Sequence, residues 1–227
     1  MSIVEAPEIR ETLQSPPPRS KRGEPTWEIA YQFPYQGDWT EEAFLNTHWE
    51  FGAELSDGCV EFLPMTSPRH MFPQELLLDR IRQWLRKHQP TWVAFPPKMP
   101  IRLFRGTMRD PDIRVLRPEH MPARDKQPTG AELVVEIVSP GDEARERDLV
   151  TKRQEYAKAA IPEYWIVDLE QRLIIVLALP AGKKKYKVHG EFGQNDEATS
   201  IALPGFKTAA AKVFAAADGE STTGQKN

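Results

Sequence analysis

The sequence predicts a single mixed α/β domain in which helices flank a central mixed sheet. Short β-branched runs bounded by turn residues alternate with two long segments of helical periodicity, at 73–89 and 142–160. The run 133–138, Leu-Val-Val-Glu-Ile-Val, is apolar on both faces, as a central strand covered from both sides should be. Helices are too few for the strands, which excludes a Rossmann-type repeat.

The first half of the chain begins with a short helix, for which Asp38 or Thr40 is a suitable N-cap. Asp57-Gly58 lies between two apolar runs and predicts a β-hairpin. A long helix is expected to open at Pro73 and to continue to about Gln89, because its apolar residues recur on one face. Strands are then predicted at 92–95, 101–104, 111–116 and 132–138.

The second half starts with a helix over 142–160, with Asp142 as N-cap and acidic residues in its first turn. Strands are predicted at 163–168, 172–179 and 186–189, and a closing helix at 208–217. Residues 1–26, rich in proline and charge, and 218–227 are expected to be disordered tails of a folded domain at 27–217. No internal repeat is visible.

Composition limits the function classes. The net charge of −3 and the pI near 6.0 count against strong non-specific nucleic-acid binding. No apolar run approaches the roughly 20 residues that cross a bilayer, and the acidic N-terminus is not a secretory signal. The lone Cys59 excludes an intrachain disulfide and favours a reducing compartment. We therefore expect a cytoplasmic protein without a membrane partner.

Glu136 is the most informative residue, because it lies in the middle of the most apolar strand. A buried carboxylate costs several kcal/mol unless a cation or a metal compensates it. A second acid, Asp112, opens the predicted strand at 111–116. Two carboxylates directed into one sheet indicate a divalent-cation site and hydrolysis of phosphate esters, and we expect them close enough to share one cation. A buried ion pair between Glu136 and an arginine is the alternative.

Six short motifs occur in a specific order. They are 54–58 (ELSDG), 65–70 (MTSPRH), 111–112 (PD), 133–140 (LVVEIVSP), 148–156 (DLVTKRQEY) and 161–168 (IPEYWIVD). In this order they resemble the Uma-type restriction-endonuclease family, a domain of unknown function in the PD-(D/E)xK nuclease superfamily. The resemblance covers about 38–215 and implies a restriction-endonuclease-like fold. Two departures are Ser56, where the family has an aliphatic residue, and Val138, where the superfamily has lysine.

The resemblance also implies the site. Asp112, Glu136 and the carbonyl of Ile137 would bind Mg²⁺ or Mn²⁺. Lys152, on the following helix, would replace the lysine missing at position 138 and would orient water or stabilise the transition state. Its alternative role is a surface pair with Asp148, four residues earlier on the helix.

Three further residues are candidates for the surroundings of the site or for phosphate contact: Glu54, His70 and Asp148. The implied substrate is DNA, and a homodimer is one option for the oligomeric state. Two other functions stay open at this point. One is a nuclease fold used for binding or assembly without turnover, and the other is a small-molecule phosphoesterase with a closed pocket and no basic rim. The lysine-rich segment 183–187 is read first as a solvated turn and second as a phosphate contact.

Overall fold

The computed structural model describes residues 33–49, 52–121, 123 and 126–219. The predicted tail at 1–26 and most of the one at 218–227 lie outside this range. The helices are α1 (Glu41–Asn46), α2 (Pro68–His88), α3 (Asp142–Glu146), α4 (Lys152–Lys158) and α5 (Ala210–Ala217). The strands are β1 (Ala53–Ser56), β2 (Cys59–Phe62), β3 (Val93–Phe95), β4 (Ile101–Phe104), β5 (Thr107–Arg109), β6 (Ile113–Leu116), β7 (Leu133–Ile137), β8 (Glu163–Asp168), β9 (Leu173–Ala178), β10 (Lys187–Phe192), β11 (Glu197–Thr199) and β12 (Lys207–Ala209).

A six-stranded sheet in the order β10-β9-β8-β7-β6-β3 forms the centre of the fold. Its β7–β8 pair is parallel and its other pairs are antiparallel. A four-stranded sheet, β2-β1-β5-β4, and a two-stranded sheet, β11-β12, lie outside it. The described chain is therefore a single mixed α/β domain, as the sequence predicts. Among the described residues, no helix combines the length and apolar character that a bilayer crossing requires.

Helices cover both faces of the central sheet. Leu133, Val135 and Ile137 of β7 belong to the apolar cluster that contains α2 and α5. Val134 belongs to the cluster on the other face, together with Tyr156 of α4. Because side chains alternate along a strand, Glu136 points toward α4, on the face opposite α2.

The helix starts differ from the sequence-based expectation in three places: the N-cap of α3 is Gly141 and not Asp142, α5 begins at Ala210 and not at 208, and α2 begins earlier than expected. Thr40 is the N-cap of α1, since its side chain accepts a hydrogen bond from Ala43 N. The long helix begins at Pro68, with Ser67 as N-cap, and not at Pro73. Proline at the first helical position is favourable because its missing N–H has no partner there. Pro73 therefore lies inside α2, and His70 falls in its first turn.

Three strands were not predicted, and one helix has an interruption. The strands β5, β11 and β12 have three residues each, too few to show a periodicity. The residues Arg147–Thr151, between α3 and α4, form a π-helical turn. The turn gives no signal in the sequence, because a helical pattern of side chains is compatible with either hydrogen-bond register.

Glu163, at the start of β8, connects the C-terminal segment to the central sheet. Its carboxylate is 1% exposed and accepts hydrogen bonds from Trp165 Nε1, Ser200 Oγ and the main-chain N–H groups of Ile201 and Ala202. Replacing Glu163 with alanine should lower the free energy of unfolding by at least about 3 kcal/mol, because several buried donors lose their acceptor.

Urea denaturation measures this effect, and Glu197→Ala is the matched control. Among the residues that the structure describes, Glu197 pairs with Lys207 alone, and both side chains are more than half exposed. The control should change stability by less than about 1 kcal/mol. Equal effects of the two substitutions would contradict the role given to Glu163.

Candidate active site

Asp112 and Glu136 lie opposite each other on neighbouring strands. The antiparallel register of β6 and β7 pairs Ile113 with Val135, and one further step places Asp112 opposite Glu136. The side chain of Asp112 is bound to β7, because the main-chain N–H of Ile137 donates to Asp112 Oδ2 over 2.7 Å. The two carboxylates that the sequence analysis selected are thus neighbours in the fold.

Asp112 Oδ2 and the carbonyl oxygen of Ile137 converge on one point. His70 Nε2 lies 3.2 Å from the first and 2.9 Å from the second. Burial lowers the pKa of His70, but the hydrogen bond to Asp112 and its charge outweigh this and raise the pKa overall. His70 reaches this point only because α2 begins at Pro68, which turns its side chain toward the end of β7.

Within the part of the chain that the structure describes, one carboxylate oxygen of Glu136 accepts hydrogen bonds, and the other does not. Its Oε1 accepts hydrogen bonds from Lys152 Nζ, at 2.9 Å, and from Tyr156 OH, at 2.6 Å. Its Oε2 has no hydrogen-bond partner among the described residues. The alternative of an arginine partner is wrong for the described part of the chain, since the cation beside Glu136 is Lys152.

Lys152 is buried beneath the sheet and is not part of a surface pair. Its side chain is 3% exposed, and Nζ lies 2.9 Å from Glu136 and 3.0 Å from Glu54. The pair with Asp148, at 3.6 Å, forms across the π-helical turn, where Lys152 N donates to Arg147 O. Turns of this kind occur frequently at functional sites.

Arg109, which the sequence analysis did not select, links this cluster to the four-stranded sheet. It lies on β5 with no exposed side-chain surface and pairs with Glu54 at 2.9 Å, Glu61 at 2.6 Å and Glu155 at 2.7 Å. Glu54 therefore uses Oε2 for Arg109 and Oε1 for Lys152. The only available signal for Arg109 was its closeness in sequence to Asp112, because β5 itself is too short to recognise.

Negative charge exceeds positive charge in this cluster. Burial alone would raise the pKa of Glu54, but Lys152 and Arg109 lower it to about 2. Burial raises the pKa of Glu136 to about 8, and repulsion from neighbouring carboxylates adds to this against the attraction of Lys152. Burial also raises the pKa of Asp148. Three cations, Lys152, Arg109 and Arg147, contact the five carboxylates of Glu54, Glu61, Glu136, Asp148 and Glu155, so the cluster can accept further positive charge.

The oxygen atoms present fit a hard divalent cation. In the described residues, no group of three or more His, Cys, Asp or Glu side chains could hold a metal ion. The third donor beside Asp112 and Glu136 is instead a main-chain carbonyl, that of Ile137. Two carboxylates and a carbonyl are the ligand types that Mg²⁺ and Mn²⁺ prefer.

An open cleft of about 420 Å³ gives access to these groups. Asp112, Glu136, Asp148 and Lys152 line its inner part. The outer part is formed by the segment before α2, the turn between β3 and β4, and the loop after β7, which contribute Leu63–Ser67, Pro97, Lys98, Ser139 and Pro140. Gly52, directly before β1, and Arg69, in the first turn of α2, also line it. The lysine-rich segment 183–187 does not line the cleft.

Comparison with known proteins gives a consistent result. The family model Uma2, described as "Putative restriction endonuclease", matches residues 43–212. A solved structure, the crystal structure of a putative nuclease belonging to DUF820 from Anabaena variabilis ATCC 29413, is similar with a TM-score of 0.63 at 16% identity. The similarity covers 78% of this chain and 98% of that one. None of the curated proteins matches.

Proposed function

Since the chain belongs to the Uma2 restriction-endonuclease family, we propose that it is a metal-dependent endonuclease that hydrolyses phosphodiester bonds of DNA. One observation carries the proposal. Asp112 Oδ2 and Ile137 O converge on one point, beside the Glu136–Lys152 pair and at the inner end of an open cleft. This combination of oxygen donors and a buried cation suits a reaction in which a phosphate accumulates negative charge.

Asp112, Glu136 and the Ile137 carbonyl are the proposed ligands of Mg²⁺ or Mn²⁺. The bound cation supplies a Lewis acid that lowers the pKa of water and neutralises charge on the phosphate. The protein holds this donor set rigid: Ile137 N donates to Asp112, and both Lys152 and Tyr156 donate to Glu136 Oε1. Glu136 therefore keeps Oε2 available toward the cleft.

Lys152 is the proposed catalytic cation. Burial would lower its pKa, but Glu136, Glu54 and Asp148 raise it, so Nζ stays protonated at neutral pH. A protonated amine cannot act as a general base. Its role is to orient the attacking water and to stabilise the negative charge of the transition state as a point charge.

Glu54, Asp148 and His70 have supporting roles in this proposal. Glu54 holds Lys152 from the side opposite Glu136 and is itself held by Arg109 and by Asp110 N. Asp148 lies at 3.6 Å from Lys152 and adds to the excess of negative charge. His70 contacts both Asp112 and the Ile137 carbonyl, so it can bind the phosphate or water at this position once the cation is present.

The cleft favours a polymer over a small phosphoester. A small-molecule phosphoesterase should have a closed pocket without a basic rim. Here the cleft opens outward, and exposed cationic side chains such as Arg69 and Lys98 line it. Both features support a nucleic-acid strand as substrate.

Incubation of the purified protein with supercoiled plasmid, with EDTA, Mg²⁺ or Mn²⁺, tests the proposal. We expect nicked or linear DNA only with a divalent cation, and a loss of more than about 100-fold in rate for Asp112→Asn and Lys152→Met. Lys158→Met and Glu146→Gln are matched controls, since both residues are exposed and lie on the same helical segment as Lys152. They should cleave like the parent.

Two outcomes would contradict the proposal. Cleavage that persists in Asp112→Asn would assign the activity to other residues or to a contaminant. DNA binding without cleavage under any of these cations would support the alternative of a nuclease fold that binds without turnover.

A further inference from the structure

We propose that Lys98 and Arg69 bind the sugar–phosphate backbone of the nucleic acid beside the bond that is cleaved. This inference rests on the proposed nuclease function, because it identifies how the same cleft recognises its substrate. It assigns a substrate-binding role to two residues that take no part in the chemistry. The ligand class is a nucleic-acid strand, which presents a series of phosphates.

Arg69 and Lys98 differ from the other cationic residues of the cleft in their ion pairing. Lys152 contacts three carboxylates, and Arg147 lies 3.6 Å from Asp148. Arg69 and Lys98 line the same cleft, are exposed, and form no ion pair with any residue that the structure describes. Their charge is thus available to an anionic ligand that extends along the cleft.

The backbone of Lys98 is in a conformation that lysine rarely adopts. Its φ is +78°, in the left-handed region where a residue with a Cβ is strained. Glycine adopts this conformation without strain. A lysine at this position therefore has a cost in stability, and the turn geometry alone gives no reason for it.

Hydrogen bonds to Asp110 and Arg114 hold this strained turn in place. The carboxylate of Asp110 accepts hydrogen bonds from Lys98 N at 2.7 Å and from Met99 N at 3.2 Å. Arg114, which has no exposed surface, donates to the carbonyls of Met99 and Pro96 on the two sides of Lys98. These hydrogen bonds hold the turn at Pro96, at Lys98 and at Met99.

The same contacts connect the turn to the proposed metal ligands. Arg114 also pairs with Asp110 at 2.8 Å and donates to Pro111 O, directly before Asp112. Lys98 is therefore held at a constant distance from Asp112. Arg69 is likewise connected to a residue of the candidate site, because it directly precedes His70 in the first turn of α2. A fixed distance between the cations that bind the strand and the groups that react positions one phosphate for cleavage.

The experiment measures DNA binding by fluorescence anisotropy with a short labelled duplex, in Ca²⁺ and in EDTA, over a range of salt concentrations. For Lys98→Gly and Arg69→Ala we expect weaker binding, and a slope of log K against log [salt] that is smaller by about 1 for each cation removed. Lys98→Arg should keep the parent slope. Lys98→Gly should melt at the parent temperature or higher, because glycine removes the backbone strain.

Arg172→Gly is the matched control. Arg172 is also a basic residue with positive φ, at +49°, but it lies in the turn before β9 and pairs with Asp218, and it does not line the cleft. Its removal should leave the salt slope unchanged. A parent-like slope in Lys98→Gly, or a parent protein without salt-dependent DNA binding, would overturn the proposal.

Two further measurements, competition by single phosphates and cleavage by the variants, complete the test. If inorganic phosphate or a mononucleotide competes as well as unlabelled duplex at equal phosphate concentration, the site takes single phosphates and the strand-binding proposal is wrong. A reduced slope in the variants of a protein that cleaves nothing would support DNA binding by Lys98 and Arg69 while refuting the nuclease function. Metal-dependent cleavage with an unaltered slope would support the nuclease function and refute this inference.

Discussion

Glu136→Gln is expected to abolish metal-dependent cleavage while leaving the metal-free protein at least as stable as the parent at pH 8. Glutamine keeps the shape of the side chain and can still accept hydrogen bonds from Lys152 and Tyr156, but it lacks the charge that a cation requires. Lys152 is not stranded by the change, because Glu54 still pairs with it at 3.0 Å.

The pH dependence of this effect has a definite sign. The pKa of Glu136 is about 8 in the folded protein, against an ordinary value of 4.5, chiefly because of burial. Below pH 4.5 the group is protonated in both the folded and the unfolded states. Between pH 4.5 and about 8 the unfolded state loses its proton first, so the stability of the parent falls as the pH rises. Glutamine does not titrate. The free energy of unfolding of Glu136→Gln, relative to that of the parent, should therefore increase over this pH interval.

Urea denaturation of parent and mutant in EDTA, at several pH values from 5 to 8, measures the difference. A second readout is the melting temperature with Mn²⁺, which should rise for the parent but not for Glu136→Gln, because the cation binds the folded state only. A loss of about 3–5 kcal/mol in the metal-free mutant would show that Glu136 serves a structural ion pair, and the metal-site proposal would then fail.

Arg109→Met is expected to produce the largest loss of stability, about 3–5 kcal/mol at neutral pH. The guanidinium group is completely buried and pairs with the carboxylates of Glu54, Glu61 and Glu155. Its removal leaves the buried Glu54 with one cation in place of two. Because Glu54 also holds Lys152, we further expect slower cleavage by any mutant protein that still folds.

The loss should depend on pH in the direction opposite to that for Glu136. The pKa of Glu54 is lowered to about 2, because Lys152 and Arg109 together outweigh the effect of burial. A depressed pKa contributes stability above the unfolded value of 4.5, and this contribution is lost as the pH falls toward 2. Without Arg109 this contribution to stability is smaller. The difference in free energy of unfolding between parent and mutant should therefore decrease below pH 4.5.

Arg102→Met is the control for Arg109→Met. Arg102 also pairs with a glutamate, Glu41, at 2.8 Å, but its side chain is 47% exposed. Water screens such a pair, and its loss should cost less than about 1 kcal/mol. Similar midpoints of urea denaturation for the two variants would show that the buried network around Arg109 contributes no more than a surface pair.

Local patterns in the sequence were sufficient for most elements of the fold and for the acids of the candidate site. Turn residues and β-branched runs mark most strands, and Glu136 stands out because a carboxylate in the run 133–138 contradicts its apolar surroundings. Asp112 was selected because it opens a second apolar strand, and the ordered motifs added Lys152. The family match agrees with that resemblance. The N-cap of α1 and the hairpin at Asp57-Gly58 also follow from local chemistry.

Other features depend on contacts between distant parts of the chain. Glu54 and Arg109 are 55 positions apart, and His70 and Ile137 are 67 positions apart. No periodicity or spacing relates such residues, because their distance is set by how β5 and α2 pack on neighbouring elements. The same holds for the strained turn at Lys98, since Asp110 and Arg114, and not its own residues, hold it in place.

The amino-acid sequence alone thus specified the fold class, the family and the acids of the candidate site, because these depend on residue type and local pattern. It left open which cation accompanies Glu136, where the donor oxygens converge and which carboxylates share Lys152. Those were settled by the packing of the sheet, which brings β6 and β7 into register and buries Lys152 among Glu54, Glu136 and Asp148. The physical reason is that the energy of a buried charge depends on every partner within a few ångströms, whatever its position in the chain.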